Sequence, residues 1–304
     1  TFGSTSVKLG LRGEQTFSKG HSITGASSFT RQYFNLFPSL FISHVLGEEK
    51  GGTMYFSYAR RLSRPGFNEL NPYRMQLNSV SVIIGNPDLQ PEFTHKFDLG
   101  YQSAKGFSAS LFYMLSTGVI RQLAVPDGNI IEQQYRNLDH HFTYGLDLEA
   151  PFTVVKGWMI SNSLNFLYAG FSTQVFNNRS AALSFRQIQS VQIPKVMDID
   201  LVADYRSPYV NGNSHVSDYF YMDIGLTRRI LNNKGRVRLL VSDIFNTARE
   251  QENTDYQGAY SAFYQKRQTR FIGISFNYSF SLGKKFNKKN IDQGSSEEKS
   301  RLGS

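Results

Sequence analysis

The stretch "TRFIGISFNYSFSLGKK" (residues 269–285) alternates strictly between apolar and polar side chains. The even positions from 272 are Ile272, Ile274, Phe276, Tyr278, Phe280 and Leu282, and the odd positions are Gly273, Ser275, Asn277, Ser279 and Ser281. This is the period of a β-strand with one apolar and one polar face. Periodicity alone does not tell whether the apolar face packs in a core or meets lipid, so the remaining chain has to decide.

Composition favours strands. The 304 residues include 25 Phe and 17 Tyr, and such rings suit a pleated, half-buried surface, so we predict an all-β chain. No apolar run approaches the roughly 18 residues of a transmembrane helix. The absence of cysteine excludes disulfides and thiolate metal sites. Because the chain starts at Thr1 with no visible leader, we interpret it as a mature chain or a fragment.

The same alternation recurs in about a dozen segments, many of them 10–15 residues long, near the ~9–11 residues with which a tilted strand crosses a bilayer. Besides the quoted stretch, the predicted strands lie near 5–17, 34–46, 52–62, 94–104, 106–123, 141–154, 157–171, 182–192, 196–206, 217–230 and 235–247. On the polar faces, acidic pairs such as Asp147 with Glu149 and Asp198 with Asp200 indicate a wet interior or a solvated exterior.

The connections between these strands alternate in length. Short ones are predicted near 47–51, 104–106, 155–157, 193–195 and 232–235, and longer ones near 18–33, 63–93, 124–140, 172–181, 207–216 and 248–267. Short turns at one end and long loops at the other are typical of outer-membrane barrels. We therefore predict an antiparallel transmembrane β-barrel over residues 1–283, with its apolar face toward lipid, followed by a basic, disordered tail at 284–304.

Several stretches resemble the C-terminal barrel of TonB-dependent outer-membrane receptors, in particular the outer membrane protein β-barrel family of Bacteroidota-type bacteria. They are "YARRLSRPGFNELNPY" (58–73), "GNPDLQPEFTHKFDLGY" (85–101), "TYGLDLEAPFTVVKGW" (143–158), "VSDIFNT" (241–247) and "FIGISFNYSFSLGKK" (271–285). The resemblance implies a barrel of about 22 strands around an N-terminal plug. This sequence shows about twelve strands and neither plug nor TonB box, so it resembles the C-terminal half of such a receptor.

The resemblance also implies a function and partners. We expect a receptor that takes up a scarce or bulky ligand, embedded in outer-membrane lipid and lipopolysaccharide, inserted by the barrel-assembly machinery and coupled to TonB through a plug outside this chain. No nucleic-acid partner, cofactor, metal site or catalytic residue is expected, and the chain is not predicted to be an enzyme. Two alternatives remain: an outer-membrane pore, adhesin or surface-assembly barrel without TonB, and a soluble all-β binding module, which strand length and loop asymmetry disfavour.

Two long loops supply the candidate ligand-binding residues. Loop 63–93 exceeds what joining two strands requires, and the segment 255–268 is rich in aromatic rings suited to stacking. The candidates are Arg64, Asn68, Asn71, Tyr73, Arg74, Tyr256, Tyr260 and Tyr264. The alternative to ligand binding is a structural role. The resemblance implies that "RRLSRPGFNELNP" is a recurring fold element of the family, and the aromatic segment would then pack against its neighbours. The adjacent His140 and His141 point to opposite faces of a strand, which disfavours a shared metal ion.

Overall fold

The computed structural model describes residues 4–21, 28–47, 51–173, 177–256 and 259–280. The predicted basic tail at 284–304 lies outside these residues. Within them no helix is long and apolar enough to span a membrane.

The described chain consists of strands and one short helix. In chain order these are β1 (Thr5–His21), β2 (Ser28–Val45), β3 (Thr53–Ser63), α1 (Phe67–Leu70), β4 (Arg74–Asn78), β5 (Ser81–Ile84), β6 (Glu92–Gln102), β7 (Ser108–Asp127), β8 (Ile130–Val155), β9 (Trp158–Ser172), β10 (Asn177–Ile193), β11 (Met197–Arg206), β12 (Tyr209–Asn211), β13 (Ser214–Val216), β14 (Tyr219–Ile230), β15 (Gly235–Ser242), β16 (Glu250–Tyr256), β17 (Ala259–Gln265) and β18 (Phe271–Tyr278). The prediction of an all-β chain is confirmed.

Twelve of these strands form one continuous antiparallel path, which we call the wall. Its order is β1-β2-β3-β6-β7-β8-β9-β10-β11-β14-β15-β18, in agreement with the dozen strands predicted from alternation. The two strands of loop 63–93 join it at the start of β8, before β8 pairs with β9, since β4 pairs with β5 and β5 runs parallel to β8. The remaining strands form a separate four-stranded sheet, β12-β13-β16-β17, which we call the outer sheet.

The two faces of the wall differ as the alternation predicts. Large apolar side chains remain exposed even on strands that pair with a neighbour on each side, for example Leu99 at 48% and Leu111 at 57% exposure. On the other face polar groups are joined across strands: Ser163 donates to Glu149 at 2.7 Å, and Arg229 lies 3.2 Å from Asp198. A soluble sheet buries its apolar face, whereas a barrel wall presents that face to lipid and lines a wet lumen with the other.

Several sequence predictions about the connections were wrong. The connections expected at 18–33 and 172–181 are shorter, because β1 continues to His21, β2 starts at Ser28 and β10 starts at Asn177. The long loop expected at 124–140 is a strand hairpin, because β7 continues to Asp127 and β8 starts at Ile130, with Gly128 at φ +61° in the turn. Strand β15 ends at Ser242 rather than at 247, because Asp243 and Asn246 have positive φ. Loops 63–93, 207–216 and 248–267 contain six short strands that alternation did not reveal.

The hydrophobic clusters lie at the end of the wall that carries the long connections, which we call the long-loop end. One cluster consists of Val119, Leu123, Leu138 and Phe171, and a second of Leu70, Leu89 and Ile120. Both involve the part of the β7–β8 hairpin that continues beyond its pairing with β9, residues 118–139, here named the extension. The extension therefore serves as the core on which the neighbouring loops pack.

Candidate functional site

The outer sheet is fixed to the extension and to the wall by buried polar contacts. Asn213 donates from Nδ2 to the carbonyl of Ala124 at 2.9 Å, which ties β12–β13 to the extension. Asn178 of β10 donates to the carbonyl of Gly212 at 2.9 Å. Because these donors satisfy backbone acceptors at both anchors, the outer sheet has a defined position at the long-loop end.

A pocket of about 540 Å³ lies between the outer sheet and the polar face of β11 and β14. Its walls are formed by Asp204, Arg206, Tyr209, Asn211, Val216, Ser217, Tyr219, Tyr221, Arg249, Glu250, Gln251, Glu252 and Phe263, and we call it the tyrosine pocket. The volume falls within the range of small-molecule sites, and the mixture of rings with a few polar groups is typical of them.

Many polar groups of the tyrosine pocket have no partner within the described part of the chain. Glu252 and Arg249 form neither an ion pair nor a side-chain hydrogen bond there, and Arg206 contacts only the ring of Tyr219, at 5.5 Å from its centroid. Tyr219 and Tyr221 meet edge to face, with centroids 5.7 Å apart, and their hydroxyls are likewise unpaired. These groups remain available to hydrogen-bond a ligand.

The charges that line the tyrosine pocket nearly balance. Three carboxylates face two guanidinium groups, and one of the carboxylates, Asp204, already lies 3.4 Å from Arg186. The pocket is therefore not tuned for a strongly anionic ligand, which would require an excess of cationic side chains.

Asp243 anchors the loop between β15 and β18, which contains the outer-sheet strands β16 and β17. It is 1% exposed and accepts hydrogen bonds from the backbone N–H of Thr247 at 2.9 Å, from Thr269 Oγ1 at 2.6 Å and from Lys266 Nζ at 3.1 Å. Its own backbone N–H donates to Asp223 on β14 at 2.8 Å. Asp243 thus connects the wall, through its backbone N–H, to both ends of the loop between β15 and β18, through its carboxylate.

The environment of Asp243 sets its protonation state. Burial alone would raise the pKa of this carboxyl, but the hydrogen bonds from Thr269, Thr247 and Lys266 outweigh it and lower the pKa to about 2. Asp243 is therefore a charged acceptor at neutral pH, paired with the Lys266 ammonium group.

The predicted loop residues with charged side chains are occupied by internal partners. Arg64 donates to Glu14 Oε2 at 2.6 Å, and this hydrogen-bonded ion pair contributes to an elevated pKa of its guanidinium despite partial burial, which by itself lowers it. Arg74 lies 2.5 Å from Glu132, whose side chain is buried. Both arginines join loop 63–93 to neighbouring strands, which favours the structural interpretation of this loop.

The other predicted residues of this loop differ in their availability. Asn71 Oδ1 accepts the backbone N–H of Tyr73 at 3.2 Å, and the carbonyl of Asn71 accepts the N–H of Gly85 at 3.0 Å. Asn68 contributes its carbonyl to the end of α1. The ring of Tyr73 is exposed. Of the five candidates in loop 63–93, Asn68 and Tyr73 have exposed side chains that no hydrogen bond within the described residues engages.

The motif "GNPDLQPE" secures loop 63–93 to the extension. Asn86 donates to the carbonyl of Tyr135 at 3.2 Å, and Leu89 is fully buried. Asn137 of β8 bonds the backbone of Gln90 in both directions, at 2.8 and 2.9 Å. The motif also contacts β2, where Arg31 donates to the backbone carbonyls of Pro87 and Leu89.

The predicted aromatic residues lie on the outer sheet. Tyr256 belongs to β16, and Tyr260 and Tyr264 belong to β17, with exposed fractions of 69% and 62%. They share no element with the predicted residues of loop 63–93, of which only Arg74 lies in a strand, β4 of the other sheet. Neither Tyr260 nor Tyr264 lines the tyrosine pocket, although Phe263 between them does.

Sequence analysis did not select the residues that form the tyrosine pocket. Arg206, Tyr219 and Tyr221 lie on polar strand faces, where alternation identified them only as wall residues. Their position at strand ends beside a long loop is a signal that was available from the sequence. Within the described ranges no group of three or more His, Asp or Glu is arranged to hold a metal ion.

Comparison with known families decides the identity of the wall. The model of the outer membrane protein beta-barrel family matches residues 1–278. The chain belongs to this family. It is a protein of the Gram-negative outer membrane, its wall is a transmembrane β-barrel wall, and the long-loop end corresponds to the extracellular side of such barrels. No curated protein sequence is significantly similar to the chain.

Several solved structures share the fold. The siderophore receptor PirA from Pseudomonas aeruginosa is 16% identical, with 91% of this chain and 49% of PirA covered at a TM-score of 0.55. The copper transporter OprC is 16% identical over 91% of this chain and 46% of its own, at 0.65. The ferric yersiniabactin uptake receptor FyuA from Yersinia pestis is 14% identical over 91% and 43%, at 0.58. The chain thus spans about half the length of these three proteins.

Proposed function

We propose that the protein containing this chain is an outer-membrane receptor that takes up a scarce or bulky ligand with energy delivered by TonB. The observation that carries the proposal is the tyrosine pocket, which opens at the extracellular end and holds unpaired hydrogen-bonding groups next to aromatic rings. The matched solved structures, which include a siderophore receptor and a copper transporter, support the same class of function. Binding and transport need no covalent chemistry, so no catalytic role is assigned.

The competing function is an outer-membrane pore, adhesin or assembly barrel that works without TonB. It shares the barrel wall, so the wall does not distinguish the two. A preformed pocket with unpaired polar groups favours a receptor, because a passive pore needs an open passage rather than a site that holds its solute.

Uptake in living cells tests the proposal. Cells that express the full-length protein are compared with a deletion strain for accumulation of iron-loaded enterobactin, iron-loaded yersiniabactin, free copper and neutral oligosaccharides, each radiolabelled. We expect at least one probe to accumulate only with the protein present, and a protonophore or loss of TonB to abolish accumulation. Accumulation that survives both treatments would support a passive barrel instead.

A further inference from the structure

Three carboxamide side chains lie on the apolar face of β9 and β10. Gln189 donates from Nε2 to Gln187 Oε1 at 2.7 Å, and Gln187 donates from Nε2 to Asn162 Oδ1 at 2.9 Å. Asn162 in turn donates to the carbonyl of Ala150 at 3.4 Å. We call Asn162, Gln187 and Gln189 the amide ladder.

The strand register places the amide ladder on the lipid side of the wall. One cross-strand row consists of Ala150, Asn162, Gln187 and Ala203. The row on one side of it consists of Leu148, Leu164, Phe185 and Tyr205, and the row on the other side of Phe152, Ile160, Gln189 and Leu201. Because side chains across a row share a face, the amides lie among apolar side chains that point toward lipid.

The amide ladder also lies at membrane depth. Asn162 follows the turn at Gly157 by five residues, which at a 45° tilt is about 12 Å along the membrane normal, near the middle of a ~25 Å apolar band. Trp158 lies on the turn side of Asn162, and Tyr144 and Tyr168, whose rings are 5.3 Å apart, lie on the extracellular side. Aromatic residues of this kind mark the two membrane interfaces.

Polar groups of the amide ladder remain unsatisfied by the chain itself. The bonds described above use one N–H of each amide and leave Gln189 Oε1 and the second N–H of each group without a partner among the described residues. All three side chains are only partly buried. Hydrocarbon offers no hydrogen bonds, so such groups are disfavoured there unless another protein surface supplies them.

A second copy of the same surface fits these groups. Carboxamides both donate and accept, so a two-fold related copy brings the free acceptor end of one ladder to the free N–H groups of the other. The three rows contain no charged side chain, so self-association opposes no like charges. Ala150 and Ala203 flank the ladder with small side chains, which permits close approach of two walls.

We propose that the amide ladder is the centre of a symmetric interface between two copies of this protein within the outer membrane. The contact pairs the ladder of one wall with the ladder of the other across a two-fold axis, and the alanines on either side let the two sheets approach. The proposal depends on the membrane location of the wall and not on the ligand or on TonB.

Cysteine crosslinking tests this interface, and the absence of cysteine from this chain makes it specific. In the full-length protein, with any other cysteine replaced by serine, Ala203→Cys is placed beside the ladder and Leu99→Cys on a distant lipid-facing strand as the matched control. Native outer membranes are treated with a membrane-permeant oxidant. We expect a disulfide-linked homodimer from Ala203→Cys and monomer from Leu99→Cys.

The combined change Asn162→Leu, Gln187→Leu and Gln189→Leu then tests whether the amide ladder itself, and not only the closeness of two walls in the membrane, produces the crosslink. Leucine suits a lipid-facing strand, so the barrel should still assemble and show its heat-dependent shift in electrophoresis. We expect the Ala203→Cys dimer to fall about tenfold in this background, because the hydrogen bonds across the interface are lost. Equal crosslinking of the two cysteines, an unchanged dimer in the leucine background, or crosslinking to a different protein would overturn the proposal.

Discussion

The side chain of Asn137 and the backbone of Gln90 form a closed pair of hydrogen bonds. Asn137 Oδ1 accepts the N–H of Gln90 at 2.8 Å, and Asn137 Nδ2 donates to the Gln90 carbonyl at 2.9 Å. The same Nδ2 donates to the carbonyl of Gly118 at 2.6 Å. One amide therefore joins loop 63–93 to both strands of the extension.

Replacing Asn137 should release loop 63–93 from the extension. Asn137→Ala removes two solvent-exposed hydrogen bonds to the backbone of Gln90, each of which contributes about 0.5–1.5 kcal/mol to local stability. We expect trypsin to cleave after Arg74 at least several times faster in intact outer membranes. Asn177→Ala, at an exposed asparagine, is the matched control and should leave the cleavage rate unchanged. Equal rates for the two variants would mean that other contacts hold the loop.

Neutralising Asp243 should loosen the loop between β15 and β18. Asp243→Asn removes the charge that balances Lys266, and an uncompensated partly buried ammonium group costs on the order of 3 kcal/mol. We expect faster hydrogen exchange at the amides of residues 247–249 while the wall amides stay protected. Lys266→Met together with Asp243→Asn should recover part of the protection, because no unpaired charge then remains. A double variant as labile as Asp243→Asn alone would contradict the role of the ion pair.

Lowering the pH should also loosen the loop between β15 and β18, because it protonates the Asp243 carboxylate. The folded pKa of Asp243 is about 2, below the ordinary value of 3.8, so the unfolded loop binds a proton more readily than the folded one. The stabilisation, about 2 kcal/mol by this difference, is fully present above pH 4 and is lost as the pH falls from about 4 to 2. Hydrogen exchange of the loop, measured between pH 5 and pH 2, should show this loss in the wild type and not in Asp243→Asn.

The wall was predictable from the sequence, whereas the loops and the pocket were not. Alternation depends on which face each side chain takes, and this local property located all twelve wall strands. In the extension the predicted strand stops at residue 123, because the consecutive apolar residues Leu123, Ala124 and Val125 interrupt the alternation. Arg64 was predicted to contact a ligand because its partner Glu14 lies 50 residues away. No local sequence pattern around Arg64 indicates this ion pair.

The tyrosine pocket should control ligand capture. Tyr221→Ala removes a ring from the pocket wall, and Glu252→Gln removes a charge that has no internal partner. For the probe that the full-length protein accumulates, we expect either change to weaken binding about tenfold with normal barrel assembly. Tyr113→Ala, at a lipid-facing tyrosine of β7, is the control for loss of a strand aromatic. Equal effects at Tyr113 and Tyr221 would remove the pocket from the binding mechanism.

Arginine substitutions at two neighbouring positions of β7 should show which face of the wall meets lipid. Leu111 is paired with Leu146 on the lipid side, and Ser110 is paired with Asp147 on the lumen side. Leu111→Arg places a guanidinium group in hydrocarbon at a cost of about 2–4 kcal/mol, whereas Ser110→Arg meets water and a carboxylate. We expect the first variant to be depleted from the outer membrane and the second to assemble normally, as judged by heat-dependent mobility. The reverse order would mean that the polar face meets the lipid.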